Sequence, residues 1–218
     1  MADDFLGKKM EDYLARKNTL PTKHKSSTSL SSLLSKNRSY RSYDKSFTVR
    51  ADQLRSIIEI NTKIASAHNE QTLRFRPVLS DEANQVLPHI RMGAALPDLQ
   101  LPPKDFEPQS FIVVCSTKTP TQYTYIDLGI SAQSMLLRAV EIGLNGICIA
   151  AFDKNAIKSE LQLPFEPLLV IAIGKGAERI QIVEAVDKSQ LNYYREDGIH
   201  YVPKLEIDDI IINADNQD

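Results

Sequence analysis

A short polar segment near the start of the chain carries residues suited to binding an anion. Arg38, Ser39 and Arg41 lie in the run NRSYRSYD, just before a predicted helix. Two guanidinium groups and a hydroxyl in so short a loop can converge on one anion. Arginine suits phosphate because its planar fork donates two parallel hydrogen bonds. The spacing alone favours the alternative, which is an ordinary solvated polar loop.

Two carboxamides follow the first long predicted helix. Asn69 and Gln71 stand two residues apart in the run SAHNEQ. Each side chain can both donate and accept hydrogen bonds, and this combination suits the edge of a heterocycle. The alternative is an amide-rich helix end that serves only as a cap.

Further donors lie in the second half of the chain. The turn that contains Gly143, Asn145 and Gly146 follows a long predicted helix and exposes backbone N–H groups that could bind a ligand. The alternative interpretation is a simple turn with no binding role. Near the C-terminus, the runs YYRE and HYVPK add two cations, Arg195 and Lys204. Basic, amide and backbone donors are therefore spread across the chain.

Familiar catalytic signatures are absent from the sequence. Gly174–Gly176 follows a predicted strand, but position 179 is Arg, so the glycine fingerprint of dinucleotide binding fails. There is no Walker sequence and no Gly-x-Ser-x-Gly elbow. The four histidines have no spacing to one another or to cysteine that makes a metal site, so we expect no metal.

The composition is that of an ordinary globular protein. Of 218 residues, 42% are hydrophobic and 25% charged, which excludes collagen-like, wholly disordered and membrane-spanning chains. The net charge of -2 hides an asymmetry, because residues 1–45 hold ten Lys or Arg against five Asp or Glu. Since acids and aromatics interrupt this basic segment, we expect no nucleic-acid and no membrane partner.

Cysteine usage and the first residues indicate the compartment. Cys115 and Cys148 lie in apolar runs, FIVVCS and GICIAAF, that are typical of buried strands, where a thiol behaves as a small hydrophobe. A disulfide framework is not expected. The start, MADDFLGKKM, lacks the apolar region of a signal peptide, and no apolar run approaches the roughly 18 residues of a membrane span. The sequence predicts a cytoplasmic protein.

The elements that must position these residues begin with an arm. Residues 1–28 are predicted to form an amphipathic N-terminal arm and linker, and residues 29–218 the domain. Within the Ser-rich run 26–35 we predict a short helix. A longer helix follows over 49–67 with Thr48 as its N-cap.

The rest of the domain alternates strands and helices. Residues 81–110 contain five of the eleven prolines and no sustained period, so they are predicted to be a long excursion. Interleaved helices and strands without regular repeats favour an α+β or mixed-sheet α/β fold. The predicted elements are strands over 73–79, 111–116, 146–152 and 167–174, a helix over 123–142 closed by Gly143, a helix from Asp153 to Leu161, and an ambiguous segment over 205–212.

Taken in order, these segments resemble the FMN-dependent nitroreductase family. The run NRSYRSYD is similar to its opening Arg-Arg-Ser-x-Arg motif, and SAHNEQ to its Pro-Ser-x-x-Asn-x-Gln-Pro segment. DLGISAQSMLLRAVEIGLNGICI resembles its Asp-x-Gly, long-helix, Gly-Leu-Gly stretch, and IAIGKGAE its strand ending in Ile-Gly-x-Pro. YYREDGIHYVPK is similar to a C-terminal run found in one branch. The resemblance covers about residues 29–212.

The resemblance implies a fold, a cofactor and a reaction. The fold would be α+β, a mixed sheet flanked by helices, in an intertwined homodimer that binds FMN at its interface. Hydride would pass from NAD(P)H through the flavin to a nitroaromatic, quinone or similar small-molecule acceptor in a ping-pong sequence. The flavin carries this chemistry, so no catalytic side chain is expected.

The resemblance also assigns binding roles to individual residues. The phosphate and ribityl chain would be held by Arg38, Ser39, Arg41, Lys204 and Arg195. The flavin ring would meet Asn69 and Gln71 of the partner subunit, with backbone groups of Gly143, Asn145 and Gly146 near its N5 and O4 side.

Two other functions remain open at this stage. The sequence departs from the family motifs at Asn37, Ala65, Thr72 and Asn145. A second hypothesis is therefore a flavin-binding protein on the same scaffold without significant reductase turnover. A third is a binding module that uses the basic arm and takes no flavin.

Overall fold

The computed structural model describes residues 28–93, 99, 101–189 and 191–212. The chain divides into two compact units, residues 1–30 and 31–218. The predicted amphipathic helix over residues 3–17 lies outside the described residues. The boundary predicted between an arm of residues 1–28 and a domain of residues 29–218 stays a prediction.

A four-stranded antiparallel sheet forms the centre of the fold. Its strands are β1 (Leu73–Val78), β2 (Ser110–Ser116), β3 (Asn145–Ile149) and β4 (Glu166–Gly174), in the order β1-β2-β4-β3. The two inner strands are buried along nearly their whole length. Successive side chains of a strand point to opposite faces, so two hydrophobic clusters form, one on each face.

The described residues form five α-helices, which are α1 (Leu30–Lys36), α2 (Ala51–Glu59), α3 (Gln122–Glu141), α4 (Lys154–Glu160) and α5 (Ile207–Ile210). The helices α2, α3 and α4 pack against the sheet, whereas α1 and α5 have no buried residue. One cluster joins β2 and β4 to α2 and α3, and Leu54, Ile57 and Met135 are fully buried in it. The other cluster includes Ile157 of α4 and Ala83, and Leu87 packs against it; Ala83 and Leu87 begin two 3₁₀ turns within the excursion, Ala83–Gln85 and Leu87–His89.

The central helix α3 is positioned by its two ends. The hydroxyl of Thr121 accepts a hydrogen bond from the backbone N–H of Thr124, which caps the N-terminus. After the C-terminus, Gly143 has φ +81°, a left-handed conformation that glycine adopts without a steric cost. A Cβ atom on Gly146 would lie 2.6 Å from the backbone oxygen of Ala172, so only glycine allows β3 and β4 to approach this closely.

A second, smaller sheet follows β4. Its strands are β5 (Arg179–Glu184), β6 (Tyr194–Glu196) and β7 (Ile199–Lys204), in the order β5-β7-β6. Strand β7 pairs in parallel with β5 and antiparallel with β6. This sheet was not predicted from the sequence, because its strands are short and half exposed and lack the long apolar runs of β2 and β4.

The helix predicted over 49–67 is present, but its predicted N-cap and its predicted end were wrong. Its N-cap is Arg50 and not Thr48, because the side chain of Gln53 accepts a hydrogen bond from the Arg50 backbone N–H at 3.0 Å. At the other end the helix stops at Glu59, and a 3₁₀ turn over Ile60–Thr62 follows. The Asn61 side chain donates to the carbonyl oxygen of Ile58 at 2.8 Å, which removes an acceptor that a continued helix would use.

The strand predicted over 146–152 ends instead at Ile149. Beyond it the chain turns away from β4 and toward the excursion, where Phe152 forms a bridge with Ile90. The predicted α3 and α4 helices and the predicted strands β1, β2 and β4 agree with the structure within about two residues. Asp153 caps α4, as predicted, by accepting from the backbone N–H of Ala156 at 3.0 Å.

Candidate functional site

A cavity of about 450 Å³ opens where the segment between α1 and α2 meets α3, β3 and the second sheet. Its size lies within the range of small-molecule sites. We call it the cationic cavity, because its wall carries Arg38, Arg41 and Lys204. Ser39 also lines it, so the structure brings together four of the site residues predicted from the sequence.

Backbone pairing holds the segment between α1 and α2 in place. Ser39 forms a bridge with Gly146 at the start of β3, and Tyr43 forms another with Gly176 just after β4. The Tyr40 N–H also donates to the Gly146 carbonyl oxygen at 3.2 Å. The two arginines are therefore fixed to the end of the central sheet, although they lie in a loop.

Both arginines of the cavity have a buried donor without a partner. The Nε atoms of Arg38 and Arg41 are buried and make no hydrogen bond within the described structure. Arg41 is 8% exposed, and one of its terminal nitrogens donates to the Ser39 carbonyl oxygen at 3.1 Å. Burial lowers the pKa of Arg38 below its ordinary value. A buried donor left unpaired costs about 1–3 kcal/mol, so these atoms are suited to an incoming acceptor.

The cavity cations lack acidic partners among the described residues. No carboxylate of that part of the chain forms an ion pair with the side chain of Arg38, Arg41 or Lys204. Three positive charges facing one cavity attract an anion of more than one charge. A phosphate group is such an anion, and it accepts several charge-assisted hydrogen bonds.

Arg195 is not among the residues that line the cationic cavity. Its Nη2 atom donates to Glu178 Oε2 at 2.6 Å, and its Nε atom donates to His200 Nδ1 at 3.3 Å. The structure therefore places this predicted site residue in an internal ion pair. Its predicted contact with a phosphate stays a prediction.

His200 lines the cavity and was missed as a site residue. It is 2% exposed, and burial, reinforced by Arg41 and Arg195, lowers its pKa to about 4. The ring is therefore neutral at pH 7. Because Nδ1 accepts from Arg195, the ring proton lies on Nε2. His200, Val202 and Lys204 stand at every second position of β7 and share one face of that strand. This pattern could have indicated His200 as a site residue.

The turn after α3 supports the cavity without lining it. Lys175 donates to the Gly143 carbonyl oxygen at 3.3 Å, and the Asn145 side chain accepts from the backbone N–H of Gly176 at 3.0 Å. Gly146 pairs with Ser39 and with β4. These groups are thus engaged inside the chain, and their predicted approach to a flavin ring stays a prediction.

The two carboxamides lie away from the cationic cavity of the same chain. Gln71 borders a second cavity, of about 460 Å³, between α2 and β1. The loop that carries Asn69 and Gln71 has three residues with positive φ, namely His68 at 51°, Asn69 at 53° and Gln71 at 49°. Asp127 holds the loop by accepting from the Ser66 hydroxyl at 2.7 Å and from the Ala67 N–H at 2.9 Å.

The carboxamides form a pair that leaves one donor and one acceptor exposed. Gln71 Nε2 donates to Asn69 Oδ1 at 3.0 Å, and both side chains are exposed. The Asn69 amide nitrogen and the Gln71 amide oxygen therefore remain for a ligand. A donor beside an acceptor complements the imide edge of a heterocycle.

The prediction that Cys148 is buried was wrong. Cys115 is buried, whereas Cys148 is exposed and lines the cationic cavity. Strand β3 lies at the edge of the sheet, so the Cys148 side chain has a neighbouring strand on one side only. Surrounding protein removes much of the water from the sulfur and raises the Cys148 pKa to about 11, so its thiol is protonated at pH 7.

Two kinds of site are not found within the described residues. That part of the chain contains no cluster of His, Cys, Asp and Glu side chains able to bind a metal ion. None of its helices has the length and apolar character that crossing a bilayer requires.

Comparison with protein families gives one match. The model of the nitroreductase family matches residues 34–175, which include the cavity segment before α2 and the central sheet. No curated protein matches the sequence.

Solved structures share the fold. A variant of an FMN- and NADPH-dependent nitroreductase from Sphigopyxis sp. strain HMH aligns with TM-score 0.60 and 17% identity, over 85% of this chain and 99% of that chain. A nitroreductase family protein from Streptococcus pneumoniae TIGR4 aligns with TM-score 0.59 and 17% identity, over 77% and 100%. A protein from Exiguobacterium sibiricum 255-15, described as a nitroreductase in complex with FMN, gives TM-score 0.56 and 17% identity, over 69% and 90%. The predicted nitroreductase-like α+β fold is confirmed.

Proposed function

Because this chain belongs to the nitroreductase family of oxidoreductases, we propose that it binds FMN and uses NAD(P)H to reduce nitroaromatic, quinone or similar acceptors. The structural neighbours that are described as FMN-bound and as FMN- and NADPH-dependent support this choice of cofactor and donor. When bound, FMN would supply the hydride chemistry, in a ping-pong sequence with the two substrates in turn.

The observation that carries the proposal is the pair of buried, unpartnered Nε atoms of Arg38 and Arg41. Together with Lys204 they present three cations that no described carboxylate pairs, and the phosphate of FMN is close to a dianion. Charge-assisted hydrogen bonds contribute about 1.5–3 kcal/mol each, so these cations can retain FMN without a covalent bond. The residues present therefore fit this cofactor.

Other cavity residues would orient the ligand. The Ser39 hydroxyl lies beside the arginines and would bind the ribityl chain. Leu136 and Val202 give the wall apolar surface, which suits the flat face of a ring. The neutral His200 has its proton on Nε2 and can donate it to a phosphate or ribityl oxygen.

The carboxamide pair supports a homodimer. Asn69 and Gln71 are remote from the cationic cavity of their own chain, so they would bind the ring held by the partner subunit. The Gln71 amide oxygen would accept from the imide N–H of the ring, and the Asn69 amide nitrogen would donate to a neighbouring carbonyl oxygen. Helix α3 exposes Tyr123, Ile126 and Ile130, an apolar surface that a dimer would cover.

The second candidate is a flavin-binding protein without reductase turnover, and one departure from the family motif bears on how tightly either candidate would retain FMN. The neutral Asn37 lines the cavity at the position where the family motif has its first arginine, and its amide lies 3.5 Å from Gln133 Oε1. The cavity thus has one cation fewer than the motif implies, which weakens retention of a phosphate.

Anaerobic titration separates the two candidates. The protein is reconstituted with FMN, and its visible spectrum is followed during addition of NADPH and, separately, NADH. Bleaching of the bound flavin by either nucleotide is the result we expect, and it identifies the donor. Bound flavin that stays oxidised would support the second candidate, and a protein that takes up no FMN would refute both.

A further inference from the structure

The carboxylate of Glu178 connects two segments that form the cationic cavity. Glu178 lies between β4 and β5, and its side chain is only 8% exposed. It contacts the loop that carries Arg41 with one oxygen and the second sheet with the other. It does not line the cavity itself.

The first oxygen fixes the backbone of the arginine loop. Glu178 Oε1 accepts hydrogen bonds from the backbone N–H groups of Arg41 and Ser42, the second at 3.1 Å. The Ser42 carbonyl oxygen in turn accepts from the Ala177 N–H at 2.9 Å. Because Glu178 binds the backbone of Arg41 and not its guanidinium, the charge of Arg41 remains available to the cavity.

The second oxygen holds Arg195. The ion pair between Arg195 and Glu178 Oε2, at 2.6 Å, places the Nε atom of Arg195 where it can donate a hydrogen bond to His200. That bond makes Nδ1 the acceptor and leaves the proton of His200 on Nε2. Glu178 therefore acts on the cavity at two points, through the loop and through the histidine.

We propose that Glu178 is a positioning residue that sets the cationic cavity in its phosphate-binding arrangement before FMN arrives. The inference rests on the proposed function, because it takes the phosphate of FMN as the ligand. Donors fixed in advance are not reorganised on binding, so affinity for the phosphate increases.

Whether the substitution Glu178→Gln strengthens or weakens the binding of FMN tests the proposal. The substitution Glu178→Gln removes a negative charge close to the phosphate, so electrostatics alone would make FMN bind more tightly. The positioning role predicts the opposite, because glutamine has one acceptor oxygen and can keep only one of the two sets of contacts, while its NH2 group faces a donor at the other. We expect the dissociation constant for FMN to rise about tenfold or more.

Riboflavin and a neighbouring carboxylate are the controls. Riboflavin lacks the phosphate, so its affinity should fall much less than that of FMN, whereas general loosening of the fold would lower both equally. Glu196 is exposed and adjoins Arg195 in the sequence, and Glu196→Gln should bind FMN as the wild type does. Unchanged or tighter FMN binding by Glu178→Gln, or an equal loss for both flavins, would overturn the inference. Lack of FMN binding by the wild type would refute the proposed function as well.

Hydrogen exchange of the wild type gives a test that needs no variant. In the FMN-free protein, the peptide that contains Arg41 and Ser42 should already exchange slowly, and FMN should change its rate little. Fast exchange that slows only when FMN is added would show that the ligand orders the loop, and would contradict the proposal.

Discussion

The guanidinium group of Arg41 lies over the ring of Tyr193, with its central carbon 4.5 Å from the ring centroid. The same ring stacks on His200 at a centroid distance of 5.0 Å. Tyr193 therefore joins a cation from the segment before α2 to a histidine of the second sheet. The aromatic face stabilises the cation without neutralising it, so the positive charge stays available to an anion.

Replacing Tyr193 tests this arrangement. Tyr193→Leu removes the aromatic face, and the loss of a cation–π contact of about 0.5–2 kcal/mol should weaken FMN binding by roughly two- to thirtyfold. Tyr193→Phe keeps the ring and should bind FMN within about twofold of the wild type. Titration of flavin fluorescence measures both constants, and equal affinities for the two variants would contradict a role for the ring.

The thiol of Cys148 reports on occupancy of the cavity. In the folded protein an uncharged methanethiosulfonate should label Cys148 and leave the buried Cys115 unmodified. The labelling rate should rise about tenfold for each pH unit above neutrality, because the pKa of Cys148 is raised to about 11 and only the thiolate reacts. Saturating FMN should slow the labelling, as measured by mass spectrometry. An unchanged rate would place FMN outside this cavity.

The buried His200 should make stability depend on pH. Its pKa falls from 6.5 in the unfolded chain to about 4 in the folded protein, so the unfolded state binds more protons between these values. The free energy of unfolding should therefore fall as pH falls from 6.5 to 4, by roughly 3 kcal/mol from this residue, and no further below pH 4. Urea denaturation of the FMN-free protein measures it.

His200→Asn provides the control for that measurement. Asparagine does not titrate, so the variant should lose less stability over the same pH range. The acidic groups whose pKa values are lowered act equally in both proteins and cancel in the comparison. Parallel curves for the variant and the wild type would contradict the assignment.

The contact of Asp127 with the carboxamide loop gives a prediction about stability. Positive φ angles at His68, Asn69 and Gln71 cost free energy, so the loop depends on its anchors. Asp127→Ala removes the acceptor of both the Ser66 hydroxyl and the Ala67 N–H, and should lower the free energy of unfolding by about 1–3 kcal/mol. Lys118→Ala, which removes only an exposed ion pair with Glu70, should change it by less than about 1 kcal/mol. Equal losses in the free energy of unfolding for the two variants would show that Asp127 does not stabilise the loop more than an exposed ion pair does.

The central sheet was predictable because the sequence patterns that indicate its strands lie within short stretches of the chain. The apolar runs of β2 and β4 are continuous, since helices cover both faces of these strands, and α3 has a clear cap and a glycine after it. The arginine loop was assigned to an anion through the family resemblance, because the spacing of its arginine and serine residues alone favours an ordinary solvated loop, and its binding of a phosphate stays a prediction.

The parts that were missed depend on contacts between distant residues. Glu178 lies 137 positions from the backbone N–H of Arg41 that it binds, and no local pattern indicates that pair. Cys148 stands in an apolar run like Cys115, yet β3 is at the sheet edge, so one thiol is exposed and the other buried. The order of the strands decides that difference, and the order follows from the packing of the whole domain.

The central claim is that the cationic cavity binds the phosphate of FMN. Its most direct test is the equilibrium dissociation constant for FMN of Arg41→Ala beside that of Lys175→Ala. Lys175 is an exposed cation whose side chain, among the residues that the structure describes, donates to the Gly143 carbonyl oxygen and does not line the cavity. We expect Arg41→Ala to bind FMN about 10- to 150-fold more weakly than the wild type, and Lys175→Ala to bind it within about twofold. Equal retention of FMN by the two variants would contradict the account.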